Sequence, residues 1–438
     1  MQKKLQRVVG LNAAIFIGLG SILGTGIFVS TGLAAGIAGP AVLISIFLAG
    51  MLALCNGLNS AQLAASTPVS GGTYEYGYKY LNPTLGFTAG WMFLLAKSAS
   101  AATAALGFSG YLMNILPFTT RDWLVPIALF SVILLTLVVL SGMKRSYKTN
   151  LIIVTITLAS LLFLILAGSI HLAKTGTSNF QPFFDGKDEI TGILKGIMHA
   201  TALVFVAFTG YGRIATLGEE VDEPRKTIPK AVLLTLFITM FLYILVTTIG
   251  LGTLGHQTMA EESRLTAAPL QLTASQFNIP FGELVVAIGA VTAMAGVMLN
   301  LILGLSRVYL AMGRRLDLPS VFARVNASGT SPYISVITTG ILIGVLVMVG
   351  DVYVTWSFSA FNVLIYYAIT NLSALKISDN DRLYPAYLSW IGLISCLFLA
   401  FQVEREVWLW GLVLIAAGLI WKRIYAGNHP GKTNPTGR

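Results

Sequence analysis

The sequence predicts an all-α integral membrane protein with twelve transmembrane helices, on three observations: composition, apolar run length and the sidedness of basic residues. Of 438 residues, 55% are hydrophobic and 11% charged, against about 25% charged in soluble domains. The mean hydropathy is +0.78. Twelve apolar stretches can cross a hydrocarbon core of about 30 Å: 11–36, 40–66, 84–116, 122–142, 149–171, 190–217, 229–253, 281–312, 333–350, 352–375, 384–402 and 405–424. With both termini cytoplasmic, 21 of the 28 Lys and Arg fall on the inner side and 6 on the outer, leaving Lys97 within the membrane. Such a bias is the positive-inside asymmetry. The net charge of +10 is thus a topology charge; Lys144, Arg145 and Lys148 face anionic lipid, and no nucleic-acid partner is implied. The basic start Met1–Arg7 leads into a long segment rather than a short h-region, so no cleavable signal peptide is expected.

Segment one holds the most informative run, Gly18-Leu-Gly-Ser-Ile-Leu-Gly-Thr-Gly-Ile-Phe28. Each glycine costs a helix roughly 1 kcal/mol against Ala. In hydrocarbon a Gly-rich break survives where it lines a cavity or binds something, and secondary transporters use midplane breaks to present backbone dipoles to substrate. The competing reading is a Gly zipper for close packing. Segment two carries Cys55 and segment eleven Cys396; both read as small core residues, with no disulfide framework or metal cluster. Between segments two and three, Tyr74, Tyr76, Tyr78 and Tyr80 with Glu75 and Lys79 form a hairpin expected at the membrane interface. In segment three, Lys97 stands mid-membrane, where charge costs several kcal/mol unless paired or hydrated. It is read as functional, its ammonium reaching toward the first break. The alternative is a structural cation that snorkels or meets a carbonyl.

Segment six interrupts itself too, at Phe205-Val-Ala-Phe-Thr-Gly-Tyr-Gly-Arg213. Segments one and six each open a possible five-helix unit, 8–175 and 186–376, and an odd number of spans inverts the second unit. Breaks at matching positions of two halves point to a midplane site. Segments eleven and twelve (383–424) are appended, and 425–438 reads as a disordered cytoplasmic tail. His199, in segment six, reads as a packing residue before a proton carrier. Glu219 and Glu220 with Arg213 and Arg307 form either an inner gate or a solvated helix end. No nucleophile–base pair, nucleotide loop or zinc spacing is present, so neither an enzyme nor a cofactor is expected.

Several runs share one family's pattern: Gly20-Ser-Ile-Leu-Gly-Thr-Gly-Ile-Phe28, Pro68-Val-Ser-Gly-Gly-Thr-Tyr-Glu-Tyr76, Gly90-Trp91, and Ala207-Phe-Thr-Gly210 with Glu219-Glu220. Pro224-Arg-Lys-Thr-Ile-Pro229 and Ser306-Arg307 with Ala311-Met312 and Leu318-Pro319 continue it. The chain resembles the amino acid–polyamine–organocation transporter superfamily, of leucine-transporter fold, over about residues 8–425. The resemblance implies a secondary transporter or exchanger of an α-amino acid at the plasma membrane. The substrate carboxylate would meet the N–H groups of Gly24, Thr25 and Gly26, at a half-helix start whose dipole favours an anion. The hydroxyl of Thr25 or Ser21 would add a donor. The ammonium would meet the carbonyls of Ile22, Val206, Ala207 and Thr209.

Departures from the pattern refine these expectations. Where many relatives carry an aromatic lid, Val206 stands, with Phe205 one residue early; a smaller lid leaves more room, or Phe208 takes over gating. Thr157 occupies the position of a lysine in helix 5 of proton-coupled and cation-independent relatives. That reopens sodium, with the carbonyls of Gly20 and Leu23 and Thr157 as ligands, although helix 8 offers only Thr292 and Asn300 between Ile288 and Leu303. Lys97 stands where relatives with cationic substrates tend to have an acidic residue, and so disfavours Lys, Arg and polyamines. Neutral L-α-amino acids are therefore expected, carried by a monomer with proton or sodium coupling left open. The alternatives are a same-fold carrier of an amine, nucleobase or metal ion, a sodium-coupled symporter, and a non-transporting sensor. A metal carrier would be expected to put side-chain ligands in place of Gly-Thr-Gly.

Overall fold

The computed structural model describes residues 9–67, 71–116, 120–141, 147–184, 190–215, 221–326 and 332–427. Among these the regular structure is helical, apart from one isolated parallel bridge between Val9 and Val221. Among the described residues, nine helices are long and apolar enough to cross a membrane: 26–66, 83–113, 121–140, 148–175, 190–215, 224–254, 282–314, 352–375 and 405–425. Three shorter apolar helices, 11–22, 333–347 and 386–400, fall on predicted segments one, nine and eleven. The chain is therefore a helical integral membrane protein. Glu219, Glu220, Lys144, Arg145, the Pro68–Ser70 part of the loop motif and the tail from 428 lie outside the described residues.

The elements that position the site are α1 (Leu11–Ile22), a π-helical turn (Gly26–Ser30) and α2 (Thr31–Ala38), followed by α3 (Val42–Ser66) and α4 (Thr73–Tyr80). Then come α5 (Pro83–Met113), α6 (Leu124–Leu140), α7 (Tyr147–Thr175), α8 (Ile190–Phe208), α9 (Gly212–Ala215) and α10 (Pro224–Leu254). After α11 (His256–Leu265) and α12 (Pro269–Ser275), α13 (Gly282–Arg314), α14 (Tyr333–Val347), α15 (Val352–Leu375), α16 (Ala386–Ala400) and α17 (Arg405–Gly427) complete the bundle. Local chemistry sets several ends. Asn82 caps α5 by accepting from Leu85 N at 2.9 Å, with Pro83 at the first position, where its missing N–H costs nothing. Asp351 caps α15 through Val354 N at 3.0 Å.

Burial follows a membrane's logic. Large apolar side chains point outward on peripheral helices, among them Phe130, Ile133 and Leu137 of α6 and Ile394 and Phe398 of α16. Polar side chains turn inward and pair. Asn59 Nδ2 donates to Asn371 Oδ1 (2.8 Å), Asn371 Nδ2 to Asn56 Oδ1 (2.7 Å) and Ser389 Oγ to Asn59 Oδ1 (2.7 Å). This joins α3, α15 and α16, because an amide facing lipid would have no partner. At the centre, α5 is rich in Ala, Ser, Thr and Gly from Ala96 to Gly107, and packs against both α13 and α15. Small residues let those backbones approach closely.

Candidate functional site

Segment one breaks at Leu23–Thr25. Leu23 is extended (φ −73°, ψ 104°), which ends α1, and the Gly24 carbonyl accepts from Ile27 N (3.1 Å) and Phe28 N (3.2 Å) to start the second half. The first amides of a helix have no partner within it, so Gly24, Thr25 and Gly26 present N–H groups at this start. Thr25 is 3% exposed and its Oγ1 is buried without a hydrogen-bond partner. The break is narrower than the run of glycines predicts. Gly20 remains helical because its task is packing: a Cβ there would lie 2.4 Å from Asn150 Oδ1. The zipper reading thus holds for the front of the run and the break reading for its end.

Segment six is tightened rather than open. α8 continues through Val206 and Ala207 to Phe208; a 3-10 turn, Thr209–Tyr211, then joins it to α9. The interruption expected across Phe205–Arg213 shrinks to that turn, because the Thr209 hydroxyl donates to the Val206 carbonyl at 2.7 Å and satisfies it locally. At the crossing of the two segments the backbones nearly touch: a Cβ on Gly210 would lie 2.2 Å from Ser21 O, and one on Gly26 2.5 Å from Ala207 Cβ. Tyr243 of α10 spans the crossing, its hydroxyl 3.0 Å from Ala207 O and 3.3 Å from Ile22 O. The Tyr367 hydroxyl donates to Thr209 O at 3.3 Å.

Lys97 reaches the second interruption, not the first. Its Nζ donates to Thr209 Oγ1 at 2.7 Å, and among the described residues no carboxylate pairs with it. An ammonium has three N–H donors, so two remain for the space beyond.

That space is a cavity of about 1400 Å³. It runs from Thr25, Gly26, Val206, Ala207, Thr209 and Lys97 to the end of the bundle that holds Gly10, Gly72, Tyr74 and Arg314. None of its lining comes from α2, α11 or α12, on the closed face. There Tyr111 OH donates to Phe28 O (2.8 Å) and accepts from Leu270 N (3.2 Å), tying the second half of segment one to α12. The lining includes four cations, Lys97, Arg213, Arg307 and Arg314, and no carboxylate among the described residues. At the mouth, Glu75 pairs with Arg315, and Tyr74 and Tyr78 donate to Asp317 at 2.7 and 2.6 Å. Burial, and then the Asp317 charge, push both phenols above their ordinary range, so they stay donors. The expected interfacial hairpin is instead docked inward: Tyr74 and Tyr76 are buried in helix α4.

Of the predicted site residues, Ser21, Ile22, Thr25, Gly26, Lys97, Val206, Ala207 and Thr209 line this one cavity. Gly20, Leu23, Gly24, Thr157, Phe205 and Phe208 do not. Phe205 packs edge-on against Tyr367, and Phe208 packs tilted against Tyr243. The hydroxyl of Ser21 donates to Ile17 O (2.9 Å), which leaves Thr25 as the free hydroxyl donor of the pair. Thr157 donates to Ile153 O (2.8 Å) on its own helix, and Asn300 Nδ2, a donor, lies 3.5 Å from Gly20 O. His199 lies 3.6 Å from Glu404 and outside the cavity lining. Sequence reasoning missed Tyr243, Tyr367 and Asn150. A tyrosine in the midst of the apolar segment 229–253 was the available signal for the first.

Comparison with known proteins agrees with this architecture. The branched-chain amino acid permease BcaP of Bacillus subtilis is 29% identical over 457 residues, covering 98% of this chain and 95% of that protein. The methylthioribose transporter of the same organism is 27% identical at the same coverages. Human cationic amino acid transporter 4 is 28% identical over 88% of this chain and 62% of its own length. The amino acid permease family model matches residues 13–426, and the chain belongs to that family of membrane transporters.

Proposed function

We propose that this amino acid permease is a secondary active transporter or exchanger of neutral L-α-amino acids, working by alternating access at the plasma membrane. It has twelve spans: two inverted five-helix units, 8–175 and 186–376, with 383–424 appended and both termini cytoplasmic. On that orientation the cavity is the inward-open path. The observation that carries the reading is the blind end of the cavity. There the head of a half-helix and the unpartnered hydroxyl of Thr25 offer donors to a carboxylate. On the other side, the carbonyls of Val206 and Thr209 each accept from one hydroxyl, and those of Ile22 and Ala207 share the single O–H of Tyr243, so each keeps a lone pair for an ammonium.

Two features narrow the cargo and the coupling. Lys97, in the lining beside Thr209 with no described carboxylate paired to it, disfavours a cationic side chain there. The sodium alternative (Gly20, Leu23, Thr157) finds little support, since an amide donor rather than a further oxygen ligand faces Gly20 O and none of the three residues lines the cavity. Lys97 then supports transport as a proton carrier or as a fixed cation on Thr209. The methylthioribose relative favours a second reading, a small polar solute without a carboxylate. Uptake of radiolabelled amino acids into proteoliposomes, with and without sodium and a pH gradient, tests the proposal. Saturable, sodium-independent uptake of neutral amino acids supports it; uptake confined to cationic amino acids or to solutes without a carboxylate contradicts it.

A further inference from the structure

The Tyr243 hydroxyl bridges two carbonyls that lie on different segments and face the same cradle. It is 3.3 Å from Ile22 O, at the end of α1, and 3.0 Å from Ala207 O, near the end of α8. Its ring is fully buried behind the crossing, packed on Phe208 with centroids 4.9 Å apart, and it does not line the cavity. One phenol thus offers a donor to two acceptors that have already lost their helical partners. Both acceptors sit at closest approach of the two segments, where a methyl on Gly26 would come 2.6 Å from the same hydroxyl.

We infer that Tyr243 is a positioning residue that stands in for the substrate's ammonium when the cradle is empty. The inference rests on the amino acid reading above, in which the carbonyls of Ile22 and Ala207 receive that ammonium. A carrier that returns empty must occlude the cradle with no cargo in it, and a buried carbonyl without a donor is costly in a water-poor interior. The phenol supplies that donor from behind the cradle. The empty carrier can then close, and the loaded carrier closes on the ammonium whether or not the phenol is present. Tyr243 is therefore needed for net flux, which requires the empty return, more than for exchange, which does not.

The test is Tyr243→Phe, which removes one oxygen and keeps the ring packed on Phe208. Purified wild type and variant are reconstituted at equal density. Efflux of a labelled neutral amino acid is then measured into buffer alone (net flux) and into buffer with the same unlabelled amino acid (exchange). Wild-type exchange of an amino acid is the control on the underlying reading: if it is absent, that reading fails before the variant is considered. With one buried carbonyl pair left unsatisfied, the exchange-to-net ratio of Tyr243→Phe should rise on the order of tenfold over wild type. Tyr387→Phe, which removes a hydroxyl from an exposed side chain outside the cavity lining, should leave the ratio unchanged. An unchanged ratio for Tyr243→Phe, with both fluxes intact or both reduced alike, overturns the inference and makes the residue only a packing element.

Discussion

Replacing Gly26 with alanine tests how tightly the two interrupted segments cross. A methyl there would lie 2.5 Å from Ala207 Cβ, 2.6 Å from the Tyr243 hydroxyl oxygen and 3.0 Å from Ala207 Cα. Carbon atoms prefer separations of about 3.5–4.0 Å, so the methyl lacks about 1 Å or more of room. The obstacles are backbone and a buried ring, which cannot swing aside as a flexible side-chain tip would. Overpacking of this kind costs about 1–3 kcal/mol. If that cost falls on the substrate-loaded cradle, transport efficiency drops roughly five- to 150-fold. The assay is the initial rate of neutral amino acid uptake per mole of reconstituted protein, with thermal stability in detergent measured alongside. Gly344→Ala is the control: its methyl meets Leu129 Cδ2 at 3.6 Å, an ordinary contact, and should be silent. Wild-type uptake by Gly26→Ala, with unchanged apparent affinity, would refute the claim that this crossing forms the cradle.

Three other outcomes are expected. Lys97→Met removes a charged hydrogen bond to Thr209 and should cut uptake on the order of tenfold or more. Lys79→Met, which loses contacts with Thr67 and the Tyr80 ring outside the cavity lining, should not. Equal rates and the same pH profile for Lys97→Met and wild type would make Lys97 structural. Replacing sodium with choline at fixed pH should leave uptake unchanged; a sodium requirement would restore Gly20, Leu23 and Thr157 as ligands. Asn371→Ala strips the amide that joins α3 to α15, and should lower the melting temperature through a loss of about 1 kcal/mol. Its ranking of substrates should not change, and a changed ranking would place that network in the site.

The helical class and most span boundaries were legible because lipid demands long apolar helices, and the runs from Pro83 to Met113 and Gly282 to Arg314 announce themselves. The approximate place of the first break was legible for the same reason: Gly24 and Gly26 make poor helix. Its extent was not. Glycine looks alike in a sequence whether it unwinds a helix, as near Gly24, or admits a neighbour, as Gly20 admits Asn150. The second interruption was overestimated since a nearby hydroxyl, Thr209, repairs the Val206 carbonyl. Lys97 was recognisable by its depth, but its partner depends on how α5 is rotated against α8, which no local pattern encodes. Tyr243 stayed hidden because a buried tyrosine reads as core until its oxygen is placed.

The most direct test of the central claim asks whether the carboxylate is what the broken first helix holds. Wild-type protein in proteoliposomes is loaded with unlabelled leucine, and counterflow of labelled leucine is challenged with an excess of leucine, of isoamylamine (leucine without its carboxylate) or of 4-methylpentanoate (leucine without its ammonium). The account predicts strong inhibition by leucine and little by either fragment, since the donors at Thr25 and Gly26 and the carbonyls at Ile22 and Ala207 must be engaged together. Inhibition by isoamylamine as strong as by leucine would contradict the carboxylate cradle, and with it the role assigned to the break.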